Sequence, residues 1–434
     1  MDGSFIDVTL TDNPHMTALS SFSAALAHAI ALDAKDPLAG LRKRFALPDN
    51  IIYLDGNSLG ALPTGVSQRL KKAVEEEWGV GLIRSWNDAD WYPAPQRVGA
   101  QIANLVGARA QEVIACDSTT VNLFKVLAAA VLSQPERDTI IAEEGNFPTD
   151  AYITQSTGAL YGKRVLLANQ DNIETVIAQA GTRLCAGALT HVHYKTGRML
   201  DMQRVTSLVQ RQGGRMIWDL AHTAGVIPVQ LHDWKVDYAV GCGYKYLNGG
   251  PGAPAFVYVR DDLIAALEQP LQGWHGHAAP FAFDQGYRAH PTIDRMLVGT
   301  ASQLGMLALE QALKVYDGID MQAVRRKSES LTQLFIDLYD AQLGHCGFEL
   351  ATPRDVARRG SQVSFTHAQG YAIMQAVIER GVIGDFRAPD ILRFGFAPLY
   401  VSHADVANSV GILSEVMASG VWQEPKYQQR KAVT

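Results

Sequence analysis

A chain of 434 residues is long enough to fold as two domains around sizeable cores. Its 47% hydrophobic and 19% charged residues are ordinary for a soluble globular protein, and a net charge of −6 speaks against a nucleic-acid partner. Four cysteines (Cys116, Cys185, Cys242, Cys346) without CxxC spacing imply neither a zinc site nor a disulfide framework, and fit buried thiols in a reducing compartment.

The opening stretch "MDGSFIDVTL" is acidic and lacks the basic and apolar regions of a signal peptide. The longest apolar run, "VLAAAVL" at 126–132, is too short to cross a bilayer. A cytoplasmic protein with no membrane partner is expected. Residues 18–36 and 67–79 read as helices, separated by "IIYLDGNSLGALP", a short strand running into a Gly/Asn turn. From about 97 to 260, seven apolar runs ("EVIACD", "TIIAEE", "KRVLLAN", "CAGALTHV", "RMIWDLA", "YAVGCG", "AFVYVR") alternate with helical patterns. That alternation predicts an α/β fold with a mostly parallel seven-stranded sheet covered on both faces. Beyond 300 the pattern changes to helices over 303–318 and 323–342, then strands "FELATP", "QVSFTH" and "ILRFGFAP" around the helix "GYAIMQAVIERG". These predict a smaller C-terminal α+β domain over 306–434, a large domain over 61–305 and an N-terminal segment, 1–60, packed on the small domain.

Ligands of such sheets bind beyond the carboxyl ends of the strands, and the polar clusters of this chain fall there. "CDSTTVNL" sets Ser118, Thr119 and Thr120 between a strand and a helix, an anion cradle or an ordinary N-cap. "GNFPTD" offers the flat ring of Phe147 near Asp150, against the alternative of a Pro-containing turn. "WDLAH" ends an interior strand on Asp219, which needs a cationic partner if buried, with His222 following. "GCGYKYLNGGPGAP" delivers Lys245 to a later strand end. A cradle, a stacking ring, an acid for a ring nitrogen and a lysine for an aldehyde together describe pyridoxal 5′-phosphate. The paired histidines of "HVHY" and "WHGH" lack a third ligand in sequence, so no metal is expected. Arg393 in "DILRFGFAPLY" is either a solvated edge arginine or a fork for a substrate carboxylate.

In the order "YLDGNSLG", "TVNL", "NFPTD", "DLAH", "HDWKVDYAVGCGYKYLNGGPG", "GWHGH" and "LRFGFAPLYVS", the chain resembles the kynureninase family of aspartate-aminotransferase-type pyridoxal phosphate enzymes, fold type I. The resemblance implies a Schiff base at Lys245, phosphate contacts from Thr119, Thr120 and Tyr244, and Phe147 stacked on the ring. It places Asp219 and Asp150 at the ring nitrogen, with Thr190 and His222 around the cofactor. Trp274 and Thr300 would reach the site across a homodimer interface, giving shared active sites. Arg393 would hold the substrate carboxylate near Asn57 and Ser58. Trp86, Gly299 and Thr300 resemble the bacterial type that prefers L-kynurenine over 3-hydroxykynurenine. The implied reaction is hydrolysis of L-kynurenine to anthranilate and L-alanine in tryptophan degradation, with Lys245, Tyr244 and Asp219 catalytic. A cysteine desulfurase or an aminotransferase of the same fold is the alternative. A desulfurase would need a mobile nucleophilic cysteine late in the chain, where only Cys346 stands.

Overall fold

Seven strands between residues 113 and 259 form one sheet in the computed structural model, which describes residue 19 and residues 21–430. The acidic stretch at 1–10, residues 18 and 20 of the helix expected over 18–36 and the last four residues of the chain lie outside the described residues. The strands are numbered along the chain. β1 is Ile52–Tyr53, β2 Val113–Ala115, β3 Thr139–Glu143, β4 Arg164–Ala168, β5 Leu184–Thr190, β6 Arg215–Asp219, β7 Tyr238–Cys242 and β8 Ala255–Val259. β9 is Glu349–Leu350, β10 Gln362–Thr366, β11 Val382–Ile383, β12 Asp385–Arg387 and β13 Ile391–Gly395.

The large sheet runs β2-β8-β7-β6-β5-β3-β4. β4, β3, β5, β6 and β7 are parallel, while β8 is antiparallel to both its neighbours. Every residue of β3, β5, β7 and β8 is buried, which is why these segments read as continuous apolar runs without alternation. The helix Thr119–Leu132 packs on one face, across β5, β7 and β8, and Met202–Arg211 packs on the other, across β5 and β6. Trp218 of β6 is fully buried and donates its indole N–H to Thr206 of that second helix, 3.0 Å away, so a large ring enters the core without an unpaired donor.

The C-terminal part holds a four-stranded antiparallel sheet, β12-β13-β10-β9. β1 pairs in parallel with β11, and the helix Phe22–Asp33 packs against the helix His403–Ser419. The sequence reading did not anticipate β11, β12 or that last helix. The two strands hold two and three residues, too few to show a period. The helix carried its signals openly: a capping box from Ser402 and Asp405 at one end, and a left-handed Gly420 (φ +65°) at the other. The helix expected over 67–79 also differs. It is α-helical over Val66–Lys72 and then widens to π-type bonding over Ala73–Gly81, where the Ser85 hydroxyl donates to the Glu77 carbonyl at 2.6 Å. Among the described residues no helix is long and apolar enough to cross a membrane.

Candidate active site

β5, β6 and β7 end side by side, so Thr190, Asp219 and Cys242 open on one space beyond the sheet's carboxyl edge. A cavity of ≈ 300 Å³ occupies it. Its lining includes Thr119, Thr120, Phe147, Asp150, Thr190, Asp219, His222, Tyr244 and Lys245, nine residues singled out from sequence. Asp117, Asn146 and Tyr194 line it as well and were not foreseen.

The backbone beneath Lys245 is held closely. Gly60 donates its N–H to the Tyr244 carbonyl at 2.8 Å, and a Cβ at Gly60 would collide with the Lys245 carbonyl and the Asn248 side chain. Lys245 Nζ lies 3.0 Å from His222 Nε2. Burial and the neighbouring Lys245 charge hold His222 well below its ordinary pKa, so the ring is neutral. Its Nε2 then accepts from the lysine and its Nδ1 carries the hydrogen. That Nδ1 is buried without a protein partner and is free for a ligand.

Asp150 and Asp219 meet as a buried carboxyl pair. Burial and the charge of Asp219 push Asp150 well above the usual carboxylate range. Asp219 is raised by burial, but Lys245 and the Ala221 N–H, 2.7 Å from Oδ1, favour its charged form. Burial thus raises both carboxyls, Asp150 the more strongly, and the charged form is favoured at Asp219 by Lys245 and the Ala221 N–H. At the opposite lip, Ser118 caps the helix Thr119–Leu132 by accepting from the Val121 N–H at 3.3 Å. The first N–H groups of a helix have no acceptor within it, and Thr119 and Thr120 add their hydroxyls at the same place. Tyr244 is raised above the ordinary phenol range by burial and by nearby Cys242 and Asp219, so it stays protonated.

Arg393 does not line the cavity. It is 2% exposed, and each of its three side-chain nitrogens already donates a hydrogen bond. Nε and Nη2 grip Asp385, Nη2 also meets Ser58 Oγ at 2.7 Å, and Nη1 donates to the Tyr194 carbonyl at 2.6 Å. Arg387 reaches the same Asp385 oxygen at 2.7 Å and Ser58 Oγ at 3.2 Å. The antiparallel register that sets Asp385 opposite Arg393 builds this cluster, of which the sequence reading named Arg393 and Ser58 but neither Asp385 nor Arg387. Asn57 is buried against Gly395, outside the cavity. Trp86 packs edge-on to Trp91, 5.9 Å between centroids. Trp274 is 45% exposed, and Gly299 and Thr300 lie on the surface, so none of these reaches the cavity within one chain. Cys346 also lies outside the cavity lining, at the lead-in to β9.

The residues present fit pyridoxal 5′-phosphate: a helix N-terminus with two threonines for a dianion, a charged carboxylate for a protonated ring nitrogen, and a lysine with an unsatisfied histidine donor between them. A family model described as the kynureninase C-terminal domain matches residues 324–413. The chain is 47% identical to the kynureninase of Pseudomonas fluorescens over 409 residues, 93% of this chain and 98% of that protein. It is equally similar to the kynureninase of Burkholderia pseudomallei strain K96243, over 94% of this chain and 99% of the relative. Among solved structures, it resembles C-DES with glycine covalently linked to its PLP cofactor at TM-score 0.75 and 18% identity, covering 86% of this chain and 99% of that one. It resembles the cysteine desulfurase CsdA of Escherichia coli at TM-score 0.73 and 20% identity, covering 88% and 98%. At those identities the structures speak for the fold alone.

Proposed function

The chain belongs to the kynureninase family, and from that premise we propose how its cavity carries out the hydrolysis of L-kynurenine to anthranilate and L-alanine. The enzyme is a pyridoxal phosphate-dependent hydrolase of a carbon–carbon bond. The observation that carries the residue assignment is the single cavity in which Lys245, the Asp150–Asp219 pair and the Thr119–Thr120 helix start meet.

Thr119, Thr120 and Tyr244 would hold the cofactor phosphate, Phe147 and Thr190 its ring, and Asp219 its ring nitrogen. When bound, the cofactor withdraws electrons from the substrate α-carbon, which makes its proton acidic and the Cβ–Cγ bond breakable. Lys245 would hold the cofactor through its aldehyde carbon, and its free amine would move the proton at the substrate α-carbon. Neutral His222, accepting from Lys245 through Nε2, fixes the amine's direction and keeps Nδ1–H for the ligand. Asp219 stays ionised because Lys245 and the Ala221 amide stabilise it, and so favours a protonated ring nitrogen. Tyr244, protonated at working pH, serves as an acid. Water enters the balance once, as the hydroxyl of the anthranilate carboxyl group and the proton taken up by the alanine carbon. Arg393, held by Asp385 and Ser58 outside the cavity lining, would take the substrate α-carboxylate by giving up its bond to the Tyr194 carbonyl, with Asn57 nearby.

Trp274, Gly299 and Thr300 lie on the surface, outside the cavity of their own chain, and Val80, Leu82 and Ile83 are apolar and more than half exposed. This supports a homodimer in which Trp274 and Thr300 complete the partner's site, with Trp86, Gly299 and Thr300 shaping the preference for unmodified kynurenine. A cytoplasmic location follows the same reading.

The test is direct. Lys245→Ala should lose the absorbance of the covalently held cofactor and the release of anthranilate and alanine from L-kynurenine. Retention of both would overturn the assignment.

A further inference from the structure

One charged group beside the cavity has no part in the scheme above. Lys125, on the second turn of the helix Thr119–Leu132, is 0% exposed. Its Nζ lies 2.7 Å from Asp117 Oδ2, 2.6 Å from the Met296 carbonyl and 3.5 Å from Cys116 Sγ. Asp117 precedes the helix cap, takes a left-handed backbone (φ +49°), and is anchored by the Ala255 N–H on its carbonyl at 3.0 Å. Its side chain is 27% exposed and lines the cavity beside Ser118, Thr119 and Thr120.

This is an awkward place for a carboxylate. Among the described residues, Lys245 is the sole lysine or arginine lining the cavity, and it is assigned to other work. The cradle for a phosphate dianion is thus made of N–H groups and hydroxyls, with an aspartate at its edge. Like charges that share a partly desolvated cleft repel each other. The buried ammonium of Lys125, reaching back along its own helix, is placed to remove that repulsion.

We infer that Lys125 is a positioning residue for the cofactor phosphate: it cancels the Asp117 charge and pins the 117–120 turn so that the cradle accepts a dianion. The lysine touches no ligand; it acts through Asp117. The inference rests on the reading that Thr119 and Thr120 hold the phosphate, and it adds a charge balance that reading does not require.

Two ligands separate this from a purely structural role. Apoprotein is titrated with pyridoxal 5′-phosphate and with pyridoxal, which lacks the phosphate, and folding of each variant is followed by thermal melting. Lys125→Met should weaken pyridoxal phosphate at least about tenfold and leave pyridoxal within about twofold. Lys125→Met combined with Asp117→Asn removes both charges and should recover most of the loss. If Lys125→Met does not fold, Lys125→Gln, which keeps a donor for the Met296 carbonyl, takes its place. Wild-type affinity for pyridoxal phosphate in the single variant, equal losses for both ligands, or no recovery in the double variant would each overturn the inference. Thr119→Ala with Thr120→Ala tests the underlying reading separately: unchanged discrimination between the two ligands would remove the phosphate from this cradle, whatever Lys125 does.

Discussion

Asp150 and Asp219 show how one proton divides two like residues into two roles. Asp219 gains from Lys245 and the Ala221 amide, whereas at Asp150 the Asp219 charge outweighs Asn146, which donates at 3.0 Å, and the smaller effect of Lys245. A neutral acid is well imitated by an amide, and an ion is not. Asp219→Asn should therefore lower kcat by roughly a hundredfold or more, while Asp150→Asn stays within about tenfold. Steady-state kinetics with the cofactor spectrum followed against pH will check the order, and the reverse order would place the charge on Asp150. At this scale the sequence was informative for residues at strand ends, where the chain itself announces a site. It was silent on which of the two carboxylates is ionised, because burial and the Lys245 contact are set by residues far apart in the chain.

At the scale of elements, the pairing of β12 with β13 decides the charge near Arg393. Asp385 is raised by burial, but Arg393 and Arg387 outweigh that and hold it below its ordinary value. Asp55, at the end of the β1 segment, is pushed up to about 8 by burial first and then by Asp385, with Arg393 opposing. Below pH 8 Asp55 is neutral, and two guanidiniums against one carboxylate leave one net positive charge for a substrate carboxylate. As Asp55 ionises above that pH the net charge falls to zero. KM for L-kynurenine should accordingly rise above pH 8 with less change in kcat, and Asp55→Asn should abolish the rise. The same shift bears on stability. Between about pH 4 and pH 8 the folded state holds a proton that the unfolded state has lost, so this group's contribution falls as pH rises through that window and is level above it. An apolar strand containing one arginine was visible in the sequence. Its partner strand, three residues long, was not.

For the whole molecule, residues 33–36 are tied to two helices of the C-terminal part. Lys327 and Asp36, both buried, pair at 2.7 Å, and Asp33 accepts from the His403 and Ala404 N–H groups at 2.8 and 2.9 Å. The segment 78–83 behaves differently, leaving Trp78, Val80, Leu82 and Ile83 exposed at 57 to 76%. A second copy of the chain covering that surface predicts that Ile83→Glu shifts the protein toward monomer in sedimentation velocity and lowers turnover of L-kynurenine. A dimer of unchanged stability would remove this segment from the interface.

Composition, the alternation of apolar runs with helical patterns and the polar clusters at strand ends were enough to determine the α/β fold, its seven strands and the cofactor. Those features are local: a buried parallel strand needs a continuous apolar run, and the loop after it must carry the chemistry. Only the tertiary structure decided which groups meet. The Lys125–Asp117 pair at the cradle, the grip of Asp385 on Arg393 and the free Nδ1 of His222 depend on distances between segments 8 to 335 residues apart. Contact across such separations is fixed by packing, and packing leaves no periodic trace in the sequence.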